Sequence, residues 1–77
     1  MEKELLRIMG APVQLTALPS GDIAIWHPVN EAVRTVVEPI CRGRGYWDAD
    51  HRNWVVFARF KRQVCHELRA HSGARNE

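Results

Sequence analysis

Apolar and polar residues change their spacing several times along this chain, and each change marks an element. Val13-Gln14-Leu15-Thr16-Ala17-Leu18 alternates with the period of two that a strand shows. Pro19-Ser20-Gly21-Asp22 reads as a turn, because Pro presets one dihedral and Gly tolerates positive φ. Ile23-Ala24-Ile25-Trp26 is rich in β-formers and follows at once. The two runs therefore predict an antiparallel hairpin. Met1–Met9 reads as a short helical or frayed segment, with Leu5, Leu6 and Met9 on one side of a helical turn and Gly10-Ala11-Pro12 as its stop.

Beyond His27 the period becomes helical. Val29, Val33, Val36, Val37 and Ile40 are spaced for one apolar face. Pro28 suits a first turn, Asn30 can cap a later start, and Glu31 suits the positive end of the helix dipole. Pro39 lacks an N–H and would clash with the carbonyl of Thr35, so a kink or an end is expected near Glu38. Arg42-Gly43-Arg44-Gly45 forms a loop, Tyr46-Trp47 starts a third strand, and Trp54-Val55-Val56-Phe57 is a fourth. The polar run Asp48 to Asn53 joins them as a second hairpin. From Ala58 the spacing is helical again, with Phe57, Phe60, Val64 and Leu68 on one stripe and an end near His71.

The expected order is ββαββα, an α+β fold with a small antiparallel sheet and two helices on one face. Residues 1–12 are expected as a short N-terminal segment, 13–71 as a single domain and 72–77 as a flexible tail. The expected core is Val13, Leu15, Ile23, Ile25, Val33, Val36, Val37, Ile40, Val55, Phe57, Phe60, Val64 and Leu68. With Ile23, Ile25, Val55 and Phe57 inward, Ala24, Trp26, Trp54 and Val56 face out, with one of Tyr46 and Trp47. A one-residue slip would swap those faces.

At 77 residues the core is thin, and a deep substrate cleft is nearly excluded. The 45% hydrophobic content argues against disorder, yet no apolar run approaches the roughly 18 residues of a membrane span. The start Met1-Glu2-Lys3-Glu4 lacks the basic and apolar regions of a secretory signal. Cys41 and Cys65 are too few for a disulfide scaffold, so a cytoplasmic protein with free thiols, monomeric by default and without membrane contact, is expected.

Charge is uneven. Residues 1–40 carry three cations against five anions, and residues 41–77 carry eight against four, seven of those eight being arginine. Arginine offers phosphate a planar fork. Arg59, Arg62, His66 and Arg69 share one face of the last helix, and Arg42, Arg44 and Arg52 flank it in loops. The alternative is a solubilising surface. Tryptophans on an open sheet face can stack bases, dock a protein partner, or simply fold over the sheet edge. The spacing of Cys41, Cys65 and the histidines fits no zinc pattern. Asp48, Asp50 and His51 are better explained by turn chemistry than by acid–base work. No phosphate-binding loop or dinucleotide fingerprint is present, so no catalysis, metal or cofactor is expected.

The stretch from Ile23 to Leu68 resembles the HARP domain and related modules that sit beside the motors of annealing helicases and similar DNA-dependent ATPases. Its carriers are Ile23-Ala24-Ile25-Trp26-His27-Pro28, the helix Glu31 to Ile40, the run Arg42-Gly43-Arg44-Gly45-Tyr46-Trp47-Asp48, Arg52-Asn53-Trp54-Val55-Val56, and Phe57 to Leu68. Phe57 departs from the pattern, which has a proline or small residue there. The resemblance implies engagement of branched or single-stranded DNA, with Arg44 and Arg52 near the strand. A small non-catalytic nucleic-acid-binding module is therefore expected, with DNA ahead of RNA as partner. Arg42, Arg44, Arg52, Arg59 and Arg62 would hold phosphates, and Trp47 or Trp54 would stack a base or shape the loop. The alternative is a small interaction or inhibitor factor that docks on a larger protein machine through the same surface.

Overall fold

A computed structural model describes residues 2–72. The first strand, β1 (Lys3–Ile8), lies where a helical or frayed segment was expected. It pairs along its whole length with β2 (Ala11–Ala17), so it is part of the sheet and not a separate N-terminal segment. Leu5, Leu6 and Met9 fit a helical turn, but Glu4, Leu6 and Ile8 also alternate inward, and β2 supplies the partner that decides. Met9 and Gly10 both take positive φ, 52° and 78°, the signature of a type I′ two-residue turn. Gly10 thus reverses a hairpin instead of stopping a helix.

The expected hairpin of β2 and β3 (Ile23–Trp26) is present, with Leu15 opposite Ile25. Helix α1 (Glu31–Cys41) follows, then β4 (Gly45–Asp48), β5 (Asn53–Val56), a 3-10 turn at Ala58–Phe60 and helix α2 (Lys61–His71). The five strands form one antiparallel sheet in the order β1-β2-β3-β5-β4. The fold is α+β, with one strand more than expected. The tail expected at 72–77 lies outside the described residues from position 73 onward.

Asn30 caps α1, its side-chain oxygen accepting from the backbone N–H of Ala32 and Val33 at 3.0 and 3.2 Å. Val29 therefore stays outside the helix and is fully exposed, contrary to its expected place on the apolar face. The helix also runs through Pro39 to Cys41 without ending at Glu38. Pro39 is exposed, while Ile40 and Cys41 are buried and hold the last turn down. Beyond the helix, Arg42 is extended and Gly43, at φ +80°, takes the third place of a type II turn that the Arg44 N–H closes on the Cys41 carbonyl at 3.0 Å.

One core lies between the sheet and both helices. Ile8, Val13, Leu15, Ile23, Ile25 and Val56 meet Val33, Val37, Ile40, Cys41, Val64, Cys65 and Leu68 there. Val36 and Phe60 only flank it. The frame of β5 is shifted by one residue from expectation. Ile23 pairs with Val56 and Ile25 with Trp54, so Val56 and Trp54 face the helices. Val55 pairs with Ala24, buried on the opposite face, and Phe57 is exposed. The run Trp54-Val55-Val56-Phe57 has no alternation, so hydrophobicity alone allows either frame. The neighbouring Gly45 helps set it: a Cβ there would meet the backbone of Val55 and Val56, with the Val56 Cα at 2.8 Å.

Candidate functional site

The shifted frame moves the tryptophans. Trp47 and Trp54 are directly paired across β4 and β5 and therefore share the helix-bearing face. Their rings meet edge-on, with centroids 5.8 Å apart and planes at 71°. Trp54 packs against the core, but Trp47, on the edge strand, remains about half exposed. Tyr46 is the residue of that pair that faces the open side, as Val55 does opposite it.

The start of α1 stands across from the two tryptophans. Between them lies a cleft of about 490 Å³, lined by Trp26, His27, Pro28, Val29, Asn30, Glu31, Arg34, Trp47, Arg52 and Trp54. Its volume is in the range of small-ligand sites. Trp47 and Trp54 give it an apolar wall, and Trp26, which alternates to the other face of β3, borders it at the end of that strand. The His27 Nδ1 lies 2.8 Å from the Pro28 carbonyl oxygen. A carbonyl only accepts, so Nδ1 carries the hydrogen and Nε2 keeps its lone pair in the neutral ring. Arg52 sits at the end of the hairpin loop at φ +54°, in the left-handed region. In the same hairpin the Asp48 carboxylate accepts from the backbone N–H of Asp50 and His51 and lies 2.8 Å from the His51 Nδ1. The bond to His51 and the two backbone N–H groups hold Asp48 below the usual carboxylate range.

The structure brings together three of the seven expected contact residues: Trp47, Arg52 and Trp54. Arg42 and Arg44 lie at the other end of α1. Arg42 is paired with Glu38, which its hydrogen bond holds below the ordinary carboxylate value. Arg44 donates to Glu67 at 2.9 Å and to the Ile40 carbonyl at 3.3 Å, which ties the end of α1 to α2. The glycines of this loop have conformational and packing roles, at Gly43 and Gly45 respectively. Arg59 lies over the rings of Phe57 and Phe60, at 5.6 and 5.0 Å. Arg62 is exposed on α2, and Arg69 of the expected basic stripe is bound to Glu4 on β1 at 2.6 Å.

Sequence reasoning missed Trp26, His27 and Arg34 as neighbours of the tryptophan pair. Arg34 is held by Glu31 and Glu38, both at 3.3 Å, a pattern visible at i−3 and i+4 but silent about the cleft. Among the described residues no group of three His, Cys, Asp or Glu side chains is placed to hold a metal ion. No described helix is long and apolar enough to cross a membrane. Comparison with protein-family models, curated proteins and solved structures gave no match for this chain.

Proposed function

We propose that this chain is a small non-catalytic nucleic-acid-binding module that takes an unpaired base in the tryptophan cleft. The observation that carries the reading is the meeting of Trp47 and Trp54 with Arg52 and Arg34 around one opening of about 490 Å³, which Trp26 borders. Aromatic faces stack any base, and guanidinium groups hold the phosphates beside it. The arrangement suits a strand whose bases are free, because a duplex covers both faces of each base and offers its grooves to protruding helices or ribbons. The resemblance to HARP modules points the same way, toward single-stranded or branched DNA. In this reading Arg52 makes the nearest phosphate contact, and Arg34 joins it by exchanging its exposed carboxylate partners for phosphate.

Fluorescence anisotropy against labelled single-stranded, duplex and forked DNA and RNA, at two salt concentrations, tests it. Single-stranded and forked forms should bind, and affinity should fall with salt. Trp47→Ala should weaken binding by about 1–3 kcal/mol, the worth of one stacked base. Arg52→Ala should reduce the salt slope by about 0.7, the value for one phosphate contact on a single strand. A folded protein that binds no nucleic acid at low salt would sink the reading.

The alternative is an interaction or inhibitor factor docking on a larger protein. It draws support from the pairing of Arg34, Arg42, Arg44 and Arg69 with carboxylates, which leaves fewer cations free for phosphate. Binding to a protein partner without salt-sensitive nucleic-acid binding would favour it.

A further inference from the structure

Given that reading of the cleft, we infer that the bound strand crosses the free edge of β4 and continues over a second platform on the opposite face, made of Tyr46, Phe57 and Arg59. β4 is an edge strand. Tyr46 and Trp47 are consecutive in it, so their side chains leave opposite faces from Cα atoms about 3.8 Å apart. One edge strand thus presents an exposed aromatic ring to each side of the sheet. Tyr46 is half exposed, and its ring centroid lies 6.1 Å from that of Phe57, itself 37% exposed. Arg59 extends the row, 5.6 Å from the centre of the Phe57 ring. Among the described residues no carboxylate forms an ion pair with Arg59. Two rings and an unneutralised guanidinium in a row match the alternation of base and phosphate along a strand.

The crossing fixes the class of ligand. Duplex DNA is stiff over about 150 base pairs and cannot fold around the edge of one sheet. A single strand can, because each nucleotide turns freely. The acidic tip of the hairpin does not block the way. The carboxylate of Asp48 is engaged by His51 and by two backbone N–H groups beyond Trp47, at the end away from Phe57.

The test compares oligothymidylates of two lengths, a trinucleotide that fills the cleft alone and a chain of about 12 nucleotides, within the ~4–16 that small single-strand modules cover. Arg59→Gln and Tyr46→Leu keep bulk while removing the charge or the polar ring, and circular dichroism confirms that each is folded. Each should weaken the longer oligonucleotide by about fivefold or more, the lower bound for one lost stack. Neither should change the trinucleotide, whereas Trp47→Ala should weaken both. If Arg59→Gln and Tyr46→Leu leave both lengths unchanged while Trp47→Ala still acts, the crossing is wrong and the cleft stands. Equal weakening of both lengths would also overturn it, since platform and cleft would then be one site. If the unaltered protein binds neither oligonucleotide, the cleft reading and the crossing fall together.

Discussion

The two sides of the sheet share one backbone architecture and differ in what covers them. At β1 and β2 the inward residues Ile8, Val13 and Leu15 are aliphatic and almost fully buried in the core shared with α2. Arg69 of α2 closes that side by its two hydrogen bonds to Glu4 on β1. At β4 and β5 the corresponding face ends in Trp47, which the helices leave half exposed. The other face of β4 carries Tyr46 in the same condition. Where the cover is complete, shape-filling aliphatic side chains suffice. Where it stops, large rings meet water, and these tolerate a boundary because they bring much apolar area with few rotatable bonds. A domain this small needs its aliphatic half for stability, which in the proposed reading leaves its aromatic half for binding.

The sharpest contrast should be chemical. Burial pushes the Cys41 thiol up to about 12 from its ordinary 9.0, and burial also raises Cys65. Near neutral pH the thiolate of folded Cys41 should therefore be about a thousandfold scarcer than in the unfolded chain. Alkylation timed in native buffer and in urea checks this, and a native rate within tenfold of the unfolded one would mean the covered half opens readily. The sign for stability follows. The contribution of a thiol kept neutral is fully present below 9.0 and is lost as pH rises toward the folded value.

Next in size is a pair of truncations. Leu68→Ala, under complete cover, should cost about 2–5 kcal/mol in urea unfolding. Trp47→Ala removes a larger side chain, but only its buried half and one edge-on ring contact are lost, so it should cost less, about 1–3 kcal/mol. Equal losses would erase the distinction between a stabilising half and a binding half.

The smallest effect concerns the clamp. The hydrogen bond from Arg69 holds the Glu4 carboxyl below its ordinary 4.5, against a smaller opposing push from burial. The stabilisation is present above 4.5 and is lost as pH falls through the lower folded value. The pair is partly exposed, so Glu4→Gln should cost below about 1 kcal/mol near neutral pH. It should also flatten part of the acid decline in urea midpoints. Parallel declines in the parent and the variant would show that the clamp adds nothing.

Much of this architecture follows from local pattern. The β2–β3 hairpin needs only alternation and the turn at Pro19 to Asp22. The Asn30 cap and the end of α2 at His71 were likewise written in residue type and spacing. The same was true of the presence of Trp47, Arg52 and Trp54 as candidates. Their grouping was not, because it depends on a face. In β5 two adjacent valines satisfy either frame, and the choice came from pairing with β3 and from the tight approach of Gly45 to Val55 and Val56. Arg42 and Arg44 read as free cations in the chain, but their carboxylate partners, four residues before Arg42 and 23 after Arg44, are selected by helix geometry and by the docking of α2.

The sequence by itself therefore determined the element types after residue 12, the α+β class and the stock of aromatic and basic side chains in the second half. Tertiary structure decided that residues 3–8 are a strand, which face each tryptophan takes, and which arginines remain unneutralised. The physical reason is range. Periodicity, caps and turns act within a few residues and are carried by the chain locally. Strand partner, register and ion pairing are settled by segments far apart in sequence, whose local preferences here were equal until they met.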